Sequence, residues 1–77
     1  MTKDQFEEEL RLAQQRYAED DSYYWCGFCR GLRRGFLGDA ASSQTDHFAW
    51  LEFLRDSDRG VRELGKGYID GMEVVVS

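Results

Sequence analysis

Two copies of one short pattern constrain the fold of this chain more than any other feature. Residues 27–32 read Gly-Phe-Cys-Arg-Gly-Leu and residues 67–72 read Gly-Tyr-Ile-Asp-Gly-Met, and Gly35 extends the first series. The glycines therefore recur every four residues, along one side of a helix. Because a glycine inside a helix costs about 1 kcal/mol relative to alanine, this arrangement indicates that another backbone comes very close. It predicts glycine-mediated packing between the two helices that carry it.

The size and composition of the chain predict one folded domain. Its 77 residues are 42% hydrophobic and 14% aromatic, enough for a small core despite 32% charged residues. The net charge is −5, and a basic segment at 22–38 separates acidic segments at 1–21 and 39–58. Such a surface disfavours direct binding of nucleic acid or of an anionic membrane and permits a basic protein partner.

The apolar residues recur at steps of three and four, the spacing of amphipathic helices. No segment alternates apolar and polar residues for long enough to suggest a sheet. The predicted fold is all-α, a compact single-domain bundle over residues 1–77. The predicted helices cover residues 3–18, 23–37, 45–56 and 58–73, followed by a frayed tail at 74–77.

The pattern also predicts how the four helices are arranged. The third helix is apolar almost all round, with only Glu52 polar between positions 48 and 54, so we expect it to be the central and most buried element. The second and fourth helices carry the glycines and are expected to be the close-packed pair. If they run antiparallel, Arg30 and Asp70 occupy matching positions and face one another.

Residues 25–29, Trp-Cys-Gly-Phe-Cys, resemble the Trp-Cys-Gly-Pro-Cys active site of thioredoxin-like oxidoreductases. In that family a strand precedes the motif and the first cysteine begins a helix. Here a helix end and a turn precede it, Phe28 stands in place of the proline, and the chain contains no proline. We therefore predict that Cys26 and Cys29 are reduced and pack as small apolar side chains. A thiol-redox or zinc-binding role is the alternative.

Few residues suggest catalysis or a metal site. A structural zinc site takes four Cys or His ligands, and this chain offers Cys26, Cys29 and a distant His47. His47 and its neighbour Asp46 do not form a dyad, because adjacent residues of a helix point about 100° apart. We predict that His47 is an exposed residue in the first turn of the third helix, and that the protein is no enzyme and needs no cofactor.

Two surfaces compete as a binding site for a protein partner. One combines three consecutive aromatic residues with three arginines, residue types that are enriched in binding hot spots. At least one of these aromatic residues must be exposed, because three consecutive helix positions span about 200°. The other surface is acidic and would mimic nucleic-acid phosphates toward a basic groove. The candidate residues are Tyr23, Tyr24, Trp25, Arg30, Arg33 and Arg34 in the first surface and Glu7, Glu8 and Asp20 in the second.

The helix segment Gly67-Tyr68-Ile69-Asp70-Gly71 resembles one found near the C-terminus of small proteins of phages and prophages, some of them encoded among anti-defence genes. The resemblance covers about the last half of the chain. It implies an accessory protein of a mobile element, an anti-CRISPR-like inhibitor that binds a host complex stoichiometrically. No catalytic residues transfer with it, because this class is defined by binding.

The leading hypothesis is therefore a non-enzymatic, phage-derived protein that binds and blocks a host defence complex. The N-terminal residues lack the basic-then-apolar order of a signal peptide, so the expected location is the cytoplasm of the host cell. Besides the thiol or zinc protein, a homodimer whose glycine faces pack between chains is an alternative. The sequence leaves open whether the protein is a monomer or a homodimer.

Overall fold

A computed structural model describes residues 1–76 and confirms the all-α fold, with four α-helices and two 3₁₀ helices in that part of the chain. The α-helices are α1 (Lys3–Asp20), α2 (Tyr23–Leu37), α3 (Gln44–Glu52) and α4 (Arg59–Val76), and the 3₁₀ helices are η1 (Gly38–Ala40) and η2 (Phe53–Arg55). The third helix is shorter than predicted because η2 replaces its last turn. Ser77, the end of the predicted tail, lies outside the described residues.

Side-chain caps begin the first three helices. Thr2 and Gln5 form the predicted capping box, with N–H···O distances of 2.9 and 3.1 Å. Ser22 accepts a hydrogen bond from the second residue of α2 at 3.1 Å, and Ser43 accepts one from the third residue of α3 at the same distance. Gly38 ends α2 with a φ of 63°, which glycine adopts without the steric cost of a Cβ. The helix boundaries thus follow from local chemistry.

The contact between α2 and α4 is the most extensive in the molecule, as the glycine patterns predict. An added Cβ at Gly31 would lie 2.8 Å from the carbonyl carbon of Tyr68, and its oxygen is closer still. No side chain larger than hydrogen fits between the two backbones there. Four glycines each lie opposite a carbonyl of the other helix: Gly27 opposite Leu64, Gly31 opposite Tyr68, Gly67 opposite Tyr24 and Gly71 opposite Phe28.

The order of these pairs shows that α2 and α4 run parallel. The facing position in α4 rises from 64 to 68 as the glycine position in α2 rises from 27 to 31. The antiparallel arrangement, with Arg30 facing Asp70, is therefore wrong. The guanidinium of Arg30 instead lies over the ring of Trp50, with its Cζ 5.2 Å from the ring centroid. Asp70 accepts a hydrogen bond from the Tyr24 hydroxyl at 2.6 Å.

Helix α1 packs antiparallel against α2 and closes one side of the core. The Phe6 ring near its start stacks on Phe36 near the end of α2, with centroids 4.4 Å apart and planes 7° from parallel. At the other end of α1, the guanidinium of Arg16 lies 4.8 Å from the centroid of the Trp25 ring. Ala13 is buried between these two contacts. One face of α1 is thus attached along its length, and the opposite face is open to solvent.

Helix α3 lies at the periphery, and the prediction that it is the most buried element is wrong. None of its residues is buried, and Phe48 is 59% exposed. The physical reason is the close approach of α2 to α4, which leaves α3 room only on the outside of that pair. Its inner face contributes Trp50, which stacks on Tyr68 of α4 with centroids 5.2 Å apart.

Helix α4 continues through the valines that were predicted to form a frayed tail. Val74 and Val75 pack against the core cluster. A Cβ at Gly35 of α2 would come within 3.0 Å of the Val75 side chain, so this contact prolongs the seam between the two helices. The preference of valine for extended structure is modest and context-dependent, and packing outweighs it here.

Candidate binding surfaces

The three consecutive aromatic residues of α2 point in three directions. Tyr23 is 59% exposed, which confirms that at least one of them faces solvent. Tyr24 is half-buried and its hydroxyl donates to Asp70. Burial and this hydrogen bond to the carboxylate together raise the pKa of Tyr24 to about 12. Trp25 is half-buried beneath Arg16 of α1. Only Tyr23 presents most of its ring to a partner.

The three arginines of α2 do not join these aromatic residues in one patch. The side chain of Arg34 is only 12% exposed, and its guanidinium pairs with Asp39 at 2.9 Å. Arg33 is half-buried, and Arg30 is exposed but stacks on Trp50 of α3. Folding therefore occupies Arg34 and Arg30 with partners inside the chain. The predicted aromatic-basic patch is not a continuous surface.

The three acidic candidates lie at opposite ends of α1. Glu7 and Glu8 are exposed near its start, and Asp20 is exposed at its end. With a rise of about 1.5 Å per residue, these groups are roughly 18 Å apart along the helix. Glu8 accepts hydrogen bonds from Arg11 at 2.6 and 3.2 Å, which lowers the pKa of its carboxyl group. Its charge is partly neutralised where it stands.

The fold brings the second acidic segment to the end of α1 that carries Asp20. A Cβ at Gly60 of α4 would lie 2.7 Å from the Tyr23 ring and 3.1 Å from a carboxylate oxygen of Asp58, so the ring and the carboxylate are neighbours. An exposed tyrosine therefore sits between the acidic end of α1 and the acidic turn before α4. We call this surface the acidic pole; it comprises Glu19, Asp20, Asp21, Tyr23, Asp56 and Asp58.

Helix stability only partly explains the carboxylates of the acidic pole. Asp58 caps α4 by accepting from the N–H of Val61 at 3.1 Å. Glu19 and Asp20 occupy the last turn of α1, which contains no basic residue. Negative charge at a helix C-terminus is unfavourable by about 0.3–1 kcal/mol per group, an effect that the nearby positive end of α2 offsets in part. These two carboxylates are therefore not accounted for by α1 itself.

A basic cleft borders the acidic pole along α4. It has a volume of about 290 Å³. One of its arginines, Arg62, donates from a single nitrogen to the carbonyls of Asp56 and Ser57, both at 2.9 Å, and so holds the turn before α4 in place. The lining residues are Leu54, Arg59, Arg62, Glu63 and Lys66.

His47 belongs to an internal polar cluster that the sequence did not reveal. Its Nδ1 lies 2.6 Å from the hydroxyl of Tyr68, whose side chain is fully buried. His47 is half-buried, so the prediction of an exposed first-turn residue is wrong. Partial burial and the nearby Arg34 lower the pKa of His47, while Asp39 opposes them. Finding this contact from sequence would require the register between α3 and α4, which no local pattern supplies.

The two cysteines are free thiols on one face of α2. Cys29 is buried, and burial raises its pKa, which is opposite to the shift that activates a catalytic thiol. Cys26 is half-buried. Within residues 1–76, no three His, Cys, Asp or Glu side chains are grouped so that they could hold a metal ion.

Three comparisons with known proteins complete the description of these surfaces. In the part of the chain that the structure describes, no helix is both long enough and apolar enough to span a membrane. A scan against protein-family models, a search of curated proteins and a search of solved structures each found no match to this chain.

Proposed function

We propose that this protein is a non-enzymatic inhibitor, carried by a phage or another mobile element, that binds a host defence complex stoichiometrically in the cytoplasm. It acts in the manner of an anti-CRISPR protein, and its acidic pole takes the place of nucleic-acid phosphates in a basic groove of the target. The observation that carries this proposal is the meeting of both acidic segments around the exposed Tyr23 at one end of the bundle.

The two predicted surfaces differ in what folding leaves accessible. Arg34 and Arg30 are occupied by Asp39 and Trp50. By contrast, Asp20, Asp21 and Asp56 are exposed, and so is Tyr23 between them. Because an interface needs groups that can leave water and contact a partner, this difference favours the acidic pole.

The chemistry of the acidic pole defines the partner that fits it. Positions 19–23 and 56–60 together hold five acidic residues and only Arg59 as a base. A groove lined with lysine and arginine complements this charge, and attraction between them speeds association. The ring of Tyr23 adds apolar area with little loss of conformational freedom on binding. The expected target site is a nucleic-acid groove that also offers an apolar contact.

The test is protection of a phage from immunity. Bacteria with an active CRISPR system that targets a phage would express this protein, and plaque formation would be compared with that of cells carrying an empty vector. The proposal predicts restored plaques together with co-purification of the protein and the defence complex. Absence of both effects across a panel of CRISPR types would contradict the inhibitor function.

A matched pair of variants locates the interface. Glu19→Lys with Asp20→Lys reverses two charges at the acidic pole, and Glu7→Lys with Glu8→Lys makes the same charge change at the other end of α1. The first pair places cations at a helix C-terminus, where the dipole stabilises them, so a loss of binding would not come from unfolding. We expect plaque restoration to fall only in the first variant. Equal activity of both variants would refute binding through the acidic pole.

The alternatives have weaker support from the described residues. A thiol-redox function needs an activated cysteine, whereas burial raises the pKa of Cys29. A dimer joined through its glycine faces is disfavoured because α2 and α4 of the same chain already use those faces on each other. Light scattering over a dilution series tests for a dimer formed through any other surface.

A further inference from the structure

The attachment of α3 to the rest of the bundle depends on few contacts. None of the residues of α3 is buried. Its inner face offers two rings to α4: Trp50 stacks on Tyr68, and His47 meets the Tyr68 hydroxyl at 2.6 Å. Because so little surface holds α3 in place, a change in one of these contacts alters a substantial part of its docking energy.

The surroundings of the Tyr68 hydroxyl determine how it is bonded. The guanidinium of Arg34 faces the phenol oxygen. Arg34 stays protonated and can only donate, so it favours the lone pairs of that oxygen and leaves the hydroxyl proton for His47 Nδ1. In this arrangement His47 is neutral, accepts at Nδ1 and carries its proton on Nε2.

Protonation of His47 would break this arrangement. Both ring nitrogens would then be donors, and the hydroxyl proton of Tyr68 would have to turn into an interior where the side chain is 0% exposed. A buried donor without a partner is costly. The added positive charge would also lie near Arg34, which is itself largely buried and whose Nε has no hydrogen-bond partner within residues 1–76.

The charged and titratable groups around this site come from every element packed against it. Arg34 and the more distant Arg30 face it from α2, and both act on Tyr68 as positive charges. Asp39 of η1 is the opposing negative charge, but it is exposed and already paired with Arg34. Asp46 precedes His47 on α3 and is exposed. The groups that balance a protonated His47 are thus solvated or occupied, whereas Arg34 lies close and is buried.

From this geometry we infer that His47 and Tyr68 form a proton-sensitive latch, which holds α3 on the α2–α4 pair at neutral pH and releases it on mild acidification. The latch is independent of the proposed function, because His47 and Tyr68 are not part of the acidic pole. Its sign follows from linkage: docking is complete above pH 6.5, the ordinary value for histidine, and weakens as the pH falls through the lower pKa of the docked state. Each unit of difference corresponds to about a tenfold loss in the docking equilibrium.

The experiment uses the whole chain, in which His47 is the only histidine. Proton NMR of its ring gives the pKa directly, and hydrogen exchange measured at pH 7.5 and at pH 5.5, corrected for the intrinsic rates, reports the protection of α3 and α2 amides. We expect a pKa below 6.5 and a selective loss of protection in α3, about tenfold for each unit of pKa depression. A pKa at or above 6.5, or equal changes in α2 and α3, would overturn the latch.

Two variants separate the latch from general acid sensitivity. His47→Gln keeps a side chain that can accept from Tyr68 but cannot be protonated, and we expect the selective loss in α3 to disappear. Tyr68→Phe removes the hydroxyl, and the pKa of His47 should move back toward 6.5. If His47→Gln loses α3 protection at pH 5.5 as the wild type does, the latch is refuted, whether or not Tyr68→Phe folds.

Discussion

Replacing Gly31 with alanine tests the seam between α2 and α4 at its tightest point. The new Cβ would lie 2.8 Å from the carbonyl carbon of Tyr68, whereas ordinary contacts begin at 3.4 Å. The backbones must therefore separate by about 0.6 Å at this point. Because both partners are helices, the separation spreads to the neighbouring glycine contacts instead of being absorbed by a rotating side chain.

The expected cost follows from three contributions. Overpacking costs about 1–3 kcal/mol. The glycine hydrogen that points at the Tyr68 carbonyl makes a weak C–H···O contact, and losing this and the neighbouring contacts adds about 0.5–1 kcal/mol each. Alanine regains about 1 kcal/mol of helix propensity. The net result is a loss of about 2–4 kcal/mol, a large part of the roughly 4–12 kcal/mol that stabilises a domain of this size.

Urea unfolding followed by circular dichroism measures this loss, and Gly60→Ala is the matched control. Gly60 is also a glycine of α4, but its closest neighbour is the exposed ring of Tyr23, which can move aside. We expect Gly60→Ala to be neutral or to stabilise the protein by up to about 1 kcal/mol. A Gly31→Ala protein that is as stable as the wild type would refute the claim that the backbones touch there.

Three further predictions concern single contacts in the core. Phe6→Ala should destabilise the protein by about 3 kcal/mol because the ring is nearly fully buried, and a thermal melt would show it; an unchanged melting temperature would contradict the packing of α1. The raised pKa of Tyr24, about 12 in the folded state, means that stability is complete below pH 10 and is lost as the pH rises from 10 toward 12. Tyr24→Phe should remove part of this alkaline loss while it leaves Asp70 without its donor at neutral pH, and an unchanged profile would count against the hydrogen bond. In the folded protein a thiol reagent should modify Cys26 well before Cys29, which burial protects, and equal rates would contradict the burial of Cys29.

Local chemistry made much of the fold predictable. The capping box at Thr2 and the serine cap at Ser22 are short-range signals, and they placed the starts of α1 and α2 correctly. The glycine spacing identified the closest helix pair, because few arrangements other than a near backbone compensate for several glycines in a helix. These predictions succeeded because each depends on residues within one or two turns of each other.

The failures all concern relations between elements. The apolar character of α3 shows what that helix can bury but not how many neighbours surround it, and the glycine seam leaves it outside. The valines at 74–76 have a local preference for extended structure, yet they continue α4 because their side chains find the core. The parallel direction of α2 and α4 follows from the single intervening helix α3, whereas matching Arg30 with Asp70 ignored that connection.

The candidate site shows the same division. That at least one aromatic residue of α2 would be exposed follows from helix geometry alone, and Tyr23 is that residue. Its proximity to Asp58 depends on how α4 returns to the start of α2, which no local pattern encodes. The contact between His47 and Tyr68 likewise joins positions 21 residues apart through the packing of two helices. Surfaces made by a single helix were predictable, and surfaces made by two were not.

The most direct test of the central claim is the salt dependence of binding to the defence complex that co-purifies with the protein. If the acidic pole occupies a basic groove, the affinity of the wild type should fall steeply between about 50 mM and 500 mM salt, since screening shortens the range of charge interactions. The Glu19→Lys, Asp20→Lys variant should bind weakly throughout, and the Glu7→Lys, Glu8→Lys variant should follow the wild type. An affinity that is insensitive to salt, with all three proteins binding equally, would contradict the account.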